Sequence, residues 1–227
     1  MKNMHWLLAL TFMAGTSFAQ ETITLNKQEK EGLQFMREEE KLARDVYDSM
    51  YVKWEVNPFG NIRQSERVHM GRMKDLLDQY KVDDPVDKTK DKPGVFRNRD
   101  MQKVFDELVK SGSLSLTDAL KAGAKIEELD IADLDERIRQ TKNEDILNAY
   151  RYLRMGSENH LRAFTRRLKT QGVDYVPEHL SRQEFDKILA GENGGGGCGQ
   201  GNNGNGNGCG RGPGKGQGRG GCGNRNN

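Results

Sequence analysis

No proline occurs between residues 94 and 176, and none precedes Pro58. Proline in a helix interior removes a donor and clashes with the preceding turn, so its absence leaves two stretches free to form long helices. Glycine is sparse there, β-branched residues form no long runs, and apolar residues recur at three- and four-residue spacing rather than in alternation. The spacing predicts a first long helix over about 26–54, with Asn26 as N-cap and Glu29 three residues later, a capping-box pattern. Asn57-Pro58-Phe59-Gly60 ends it, and a second helix follows over about 61–81. Asp83, Asp84 and Pro85, then Lys92-Pro93-Gly94, mark a polar crossover. A shorter helix is expected over about 98–111, closed by Gly112, and a long one over about 116–140, capped by Ser115. Thr141-Lys142-Asn143 is a short break before a final long helix over about 144–171, stopped by Gly172, and a short helix over about 181–190 follows Pro177. The expected architecture is all-α: a four-helix bundle whose second and third long helices are joined by a long crossover containing a short extra helix.

The bundle occupies only part of the 227 residues. Residues 1–19 are apolar after Lys2, with a run from Trp6 to Ala14 and small residues at Ser17-Phe18-Ala19. This is the pattern of a secretory signal peptide. Cleavage is expected after Ala19, which places the mature protein in a periplasm or outside the cell with no stable membrane insertion. Residues 191–227 hold 18 of the 27 glycines and all three cysteines, Cys198, Cys209 and Cys222. That composition has little apolar surface to bury, so a disordered tail is expected. The cysteines are spaced by 11 and 13 residues, unlike the tight pairs of a zinc site. They suit cross-linking or soft-metal capture, or are incidental to a solubilising tail. The domain between, residues 20–190, has no cysteine, which excludes a disulfide-stapled mini-fold. The chain carries +2; Lys2 contributes +1 and the tail +3, leaving this domain at −2. A dedicated nucleic-acid domain would be clearly basic.

Residues three and four apart share a helix face, and following that spacing gives four stripes. The first is Met36, Glu40, Ala43, Tyr47 and Met50; the second is Ile62, Glu66, His69, Met73, Leu76 and Tyr80. The third is Leu120, Ala124, Glu127, Ile131, Leu134 and Ile138; the fourth is Ile146, Tyr150 or Ala149, Leu153, Ser157, His160, Phe164 and Leu168. Each is mostly apolar, with polar residues near the middle of at least the first, second and fourth. A lone buried carboxylate costs several kcal/mol unless compensated. Three glutamates and two histidines on inward stripes therefore call for a common partner, and carboxylate and imidazole together suit iron, manganese or zinc. Taken singly, each residue has a plainer reading. Glu40 stands in an acidic run with Glu38 and Glu39, which reads as a solvated face; His160 alone reads as a core histidine.

Several segments resemble known proteins. Glu40-Lys41-Leu42-Ala43-Arg44-Asp45-Val46-Tyr47 resembles the first-helix motif of rubrerythrin-like and ferritin-like proteins, in which a ligand Glu is followed seven residues later by a Tyr. Glu66-x-x-His69 resembles their second-helix motif. Glu127-Glu128-Leu129-Asp130-Ile131 and Ser157-Glu158-Asn159-His160-Leu161-Arg162-Ala163-Phe164 resemble a narrower group, the ferritin-like family catalogued as domain of unknown function 2202. The resemblance spans about residues 27–190 and implies a metal site in the bundle core. It implies Glu40, Glu66, His69, Glu127 or Glu128, and His160 as ligands, with the stripe favouring Glu127. Ser157 stands where the fuller pattern has a Glu, so water or Glu158 would fill that position. Tyr47, Asp130, Ser157 and Glu158 are the supporting or gap-filling residues.

The expected protein is thus an exported, ferritin-like metal binder holding one or two ions, iron first, with manganese or zinc as alternatives. Such a site would allow ferrous-iron oxidase or peroxidase chemistry, with Tyr47 as a redox neighbour. The competing reading is a non-catalytic interaction module whose glutamates and histidines form a buried hydrogen-bonded network. A homodimer or a disulfide partner through the tail fits either reading.

Overall fold

Helix ends in the computed structural model fall where capping chemistry puts them. The structure describes residues 24–191; the signal-peptide reading of residues 1–19 and the tail reading with Cys198, Cys209 and Cys222 lie outside the described residues. Helix α1 is Lys27–Trp54. Asn26 accepts from the Glu29 N–H, and the Glu29 carboxylate accepts from the Asn26 N–H, both at 2.9 Å. Helix α2, Phe59–Gln79, begins two residues earlier than the spacing predicts because Pro58 itself takes the N-cap position. Asp84 caps a single turn, α3, Pro85–Lys88, within the crossover. Asn98 opens α4, Arg99–Gly112; Ser115 opens α5, Leu116–Gln140; and Asn143 opens α6, Glu144–Thr170. Ser181 opens α7, Arg182–Ala190, and Gly191 closes it at a φ of 75°, which glycine adopts without steric cost. Among the described residues there is no strand, and no helix is long and apolar enough to cross a membrane.

The side-chain contacts fix the helix directions. Asp48 meets Arg63 and Arg67, and Arg37 reaches Met70, so α1 and α2 are antiparallel. Tyr47 reaches Glu127 while Arg137 stacks on Phe35, so α1 and α5 are also antiparallel. Helix α5 therefore runs parallel to α2. The segment joining them must travel back along the bundle, roughly 30 Å for a helix of this length. This is the physical reason for the long crossover through α3 and α4. Helix α6 pairs with α5 and closes the bundle against α2.

The crossover is held down by charged side chains from α1. Residues 36–47 are all buried, although seven of them are charged. Arg37 donates to Asp84 at 3.0 Å and to the Met70 carbonyl at 2.9 Å. Glu38 accepts from the N–H groups of Arg97 and Asn98. Lys41 has no exposed surface; it pairs with Asp45, donates to the Lys92 carbonyl at 2.9 Å and lies 4.4 Å above the Phe96 ring. Asp45 also accepts from the Gly94 N–H, and Arg44 makes a two-pronged pair with Asp91. Glu38, Glu39 and Glu40 are all buried, so the plainer reading of a solvated acidic face does not hold; the crossover supplies the partners of Glu38.

Apolar residues form two clusters. One includes Val46, Met50, Phe59, Leu120 and Phe164; the other includes Leu33, Met36, Met73, Leu77, Leu134 and Leu153. Along α1, α2 and α6 the polar stripe positions fall between residues of one cluster and residues of the other. The bundle thus has two dry layers and a polar layer between them.

Removing one partner of a buried ion pair leaves an uncompensated charge. Asp45→Ala should cost about 3–5 kcal/mol in urea unfolding, because Lys41 then keeps its burial and loses its counter-charge. A loss below about 1 kcal/mol, the level of an exposed pair, would show that Lys41 is not held as described.

Candidate metal centre

Four helices each bring polar side chains to the middle layer. Helix α1 supplies Glu40 and Tyr47, α2 supplies Glu66 and His69, α5 supplies Glu127 and Asp130, and α6 supplies Ser157 and His160. On α2, α5 and α6 the two residues are three apart, so both project from one face. All eight are buried. Two groups could each hold a metal ion: Glu40, Glu66 and His69, and Glu66, Glu127 and His160. Within each group the ligand atoms lie within 4.8 Å of one another.

Glu66 belongs to both groups. Its Oε2 lies 2.9 Å from His69 Nδ1, and its Oε1 lies 2.9 Å from His160 Nδ1. His69 Nδ1 is also 3.2 Å from Glu40 Oε2, and His160 Nδ1 is 3.5 Å from Glu127 Oε2. The two imidazoles stack, with centroids 5.6 Å apart and planes 26° from parallel. Tyr47 donates to Glu127 Oε1 at 2.5 Å. Ser157 donates to Asp130 Oδ2.

Hydrogen bonds do not account for every atom. Glu40 Oε1, Glu66 Oε1, Asp130 Oδ1 and His160 Nδ1 are buried without a hydrogen-bond partner. The 2.9 Å approach of His160 Nδ1 to Glu66 Oε1 is close but not aligned as a hydrogen bond. An orphaned buried polar atom costs about 1–3 kcal/mol. Four such atoms lie in this one layer.

The ionisation balance reflects this crowding. Burial, then Asp130, pushes the Glu40 carboxyl well above the usual carboxylate range. Burial also raises Glu127, and it raises Asp130 to about 7. Burial acts in the same direction on Glu66, but His160 and His69 outweigh it and hold that carboxyl low. Burial would lower the histidines, yet Glu40 and Glu66 raise His69 to about 12, and Glu66 and Glu127 raise His160 to about 10. Burial, followed by the Glu127 charge, raises Tyr47, which keeps its phenol a donor. The cluster collects protons as its source of positive charge. Metal cations compete with protons for such ligands.

Glycine decides how close His69 can sit to α6. A Cβ on Gly156 would fall 2.5 Å from both Cε1 and Nε2 of His69. The ring fits because that helix position has no side chain. Tyr152 meets the same ring edge-on, with centroids 5.8 Å apart.

The structure brings together Glu40, Glu66, His69, Glu127 and His160, with Tyr47, Asp130 and Ser157 beside them. It does not bring Glu128 or Glu158. Glu128 accepts from the backbone N–H groups of Glu178, His179 and Leu180 at 2.9, 2.8 and 3.0 Å, fastening that turn to α5. Glu158 pairs with Arg154 and lies 3.9 Å from Arg162, one turn to either side on α6. The position opened by Ser157 is approached from α5 by Asp130. Glu127-x-x-Asp130 has the same spacing as Glu66-x-x-His69, and that repeat is the signal for it in the sequence.

Residues 29–192 match the family described as Uncharacterized protein domain (DUF2202). Uncharacterized protein MJ0754 of Methanocaldococcus jannaschii is 48% identical over 166 residues, covering 73% of this chain and 89% of that protein. The crystal structure of hypothetical protein MJ0754 matches with a TM-score of 0.72, covering 74% of this chain and 95% of that one. The chain belongs to the DUF2202 family.

Two glycine substitutions should separate packing from propensity. Gly156→Ala drives a methyl into His69 and should cost about 1–3 kcal/mol of stability. Gly71→Ala, in the interior of α2 with nothing within 4 Å of the new Cβ, should gain about 0.5–1 kcal/mol. Thermal or urea unfolding of both variants checks the pair; equal effects would refute the close approach of His69.

Proposed function

We propose that this DUF2202 member is a ferritin-like metal-binding protein that holds a pair of divalent transition-metal ions, iron first, in its middle layer. One observation carries the reading: Glu66 is common to both potential ligand groups and turns one oxygen toward each histidine. Glu40 and His69 would complete one position, and Glu127 and His160 the other. Asp130, with its free Oδ1, would take the place left by Ser157. Four carboxylates balance two divalent cations when both histidines are neutral, which removes the charge imbalance of the buried cluster.

The donor set fits iron and manganese, and zinc less selectively. An iron pair would supply electrons for reduction of dioxygen or peroxide. The chain's own residues do the positioning. Tyr47 occupies one oxygen of Glu127 and leaves the other toward His160. Ser157 fixes Asp130, and Gly156 admits His69. The alternative, a satisfied polar network in an interaction module, is disfavoured by the orphaned atoms, since a partly satisfied network is costly. Lys2, the apolar run to Ala14 and Ser17-Phe18-Ala19 support export as the setting.

The test is elemental analysis after anaerobic ferrous loading of the purified protein and desalting. Two metals per chain are expected, lost in Glu66→Ala/His69→Ala. Failure to retain iron, manganese or zinc would overturn the reading. Binding should also raise the melting temperature in proportion to free metal, and a chelator should reverse the gain.

Proton release gives an independent check. At pH 7 both histidines are protonated, because their values lie near 12 and 10. Imidazole must be neutral to ligate a metal. Loading should therefore expel at least two protons per chain at pH 7, with further release from the raised carboxyls of Glu40 and Asp130, and affinity should strengthen from pH 6 to pH 8. Calorimetry in two buffers of different ionisation enthalpy measures the number; no release would exclude the histidines as ligands.

A further inference from the structure

We propose that the cleft between the last turns of α6, the segment that follows it and α7 binds a small amphipathic anion: a phosphate or carboxylate head on an apolar body. The site does not depend on the metal-binding reading. The cleft has a volume of about 780 Å³, within the range of small-molecule sites. Its two walls differ in chemistry. On α6 it is lined by Arg162, Arg166 and Lys169. Their i, i+4, i+7 spacing places three cations on one face of the helix over roughly 10 Å. Arg182 adds a fourth from the start of α7, and Asp174 is the one carboxylate that lines the cleft. The apolar wall is made by Tyr175, Val176, Phe185 and Leu189. Val176 is 69% exposed and Leu189 40%, so this wall keeps apolar surface in water that a ligand would cover.

The cations are only partly used. Arg162 is fixed in place: it donates to the Ile188 carbonyl at 2.8 Å and to Asn159 at 2.6 Å, tying α7 to α6. Glu158, 3.9 Å from Arg162, is already paired with Arg154. Lys169 pairs with Asp174 at 2.5 Å and Arg182 with Asp186 at 2.9 Å, but all four side chains are more than half exposed. Pairs so open to water are weak. Arg166 has no ion-pair partner among the described residues. Four cations against one carboxylate leave an excess of positive charge in a concave site, which attracts an anion. Guanidinium groups suit the oxygens of phosphate and carboxylate. A bare anion leaves the apolar wall wet, and a neutral hydrocarbon leaves the arginines unpaired; a ligand with both characters satisfies both walls. The chain's own C-terminal residues do not supply it. Residues 192–227 hold Glu192 as their one acid against Arg211, Lys215, Arg219 and Arg225, with no Leu, Ile, Val, Met or aromatic residue.

The experiment is calorimetric titration of the purified protein with decyl phosphate, decanoate, decanol and inorganic phosphate, each below any micelle concentration. One site per chain is expected for decyl phosphate or decanoate, and the tighter of the two identifies the head. Decanol and inorganic phosphate should bind about tenfold more weakly or not at all. Arg166→Gln should weaken the anion by about tenfold. Val176→Ser should weaken it less, through lost apolar contact. Both positions are exposed, so the melting temperature should stay unchanged. Lys169→Gln, also exposed, repeats the charge test if Arg166→Gln lowers it. Arg167→Gln removes an exposed charge from the same turn of α6, outside the cleft, and should leave the affinity alone. Binding of neither anion, equal binding of decanol or inorganic phosphate, unchanged affinity in the Arg166 and Lys169 variants, or equal loss in Arg167→Gln would each overturn the site.

Discussion

The structure depends on charge buried around the whole circumference of α1. A helix enclosed on every side is ordinarily apolar. Here residues 36–47 are enclosed with seven charged side chains among them. Each charge taken out of water must find a partner, because desolvation costs several kcal/mol per ion. Toward the crossover those partners are present. Asp84, Asp91 and the backbone of residues 92–98 receive Arg37, Arg44, Lys41, Glu38 and Asp45. Toward the bundle interior they are carboxyls and imidazoles, and part of their hydrogen-bonding capacity is left unused.

That contrast is visible in three consecutive residues. Glu38 caps the backbone ahead of α4, Glu39 faces acids on α5, and Glu40 faces His69 on α2. Rotation of 100° per residue sends identical side chains into three environments. The satisfied side locks α1 against the crossover and so fixes the rotation of α1 about its own axis. The unsatisfied side is thereby held toward the centre with little freedom to turn away. Rigid support of this kind is what a preorganised ligand set needs.

The middle layer is also a compromise in packing. Two apolar clusters flank it and supply most of the buried apolar surface. The polar layer interrupts that surface and adds unpaired groups, so it weakens the fold unless something binds there. Gly156 and Tyr47 show the fitting that keeps the layer ordered. One clears room for an imidazole, and the other holds a carboxylate oxygen in place.

Much of this was legible in the sequence. Caps at Asn26 and Ser115, the proline-free runs and the apolar spacing placed the long helices to within a few residues. The stripes also contained Glu40, Glu66, His69, Glu127 and His160, because i, i+3 and i+4 relations are set by helix geometry alone. Tertiary structure decided what local periodicity does not encode. It turned Glu128 to the backbone of residues 178–180 and Glu158 to Arg154, while bringing Asp130 beside Ser157. It also buried Glu38 and Glu39, whose acidic run reads as a solvated face, together with Lys41; the segment that covers Glu38 and Lys41 lies more than 50 residues away along the chain. Spacing along one helix determined which side chains share a face; only the packing of other segments against that face determined which of them had lost water and what stood opposite.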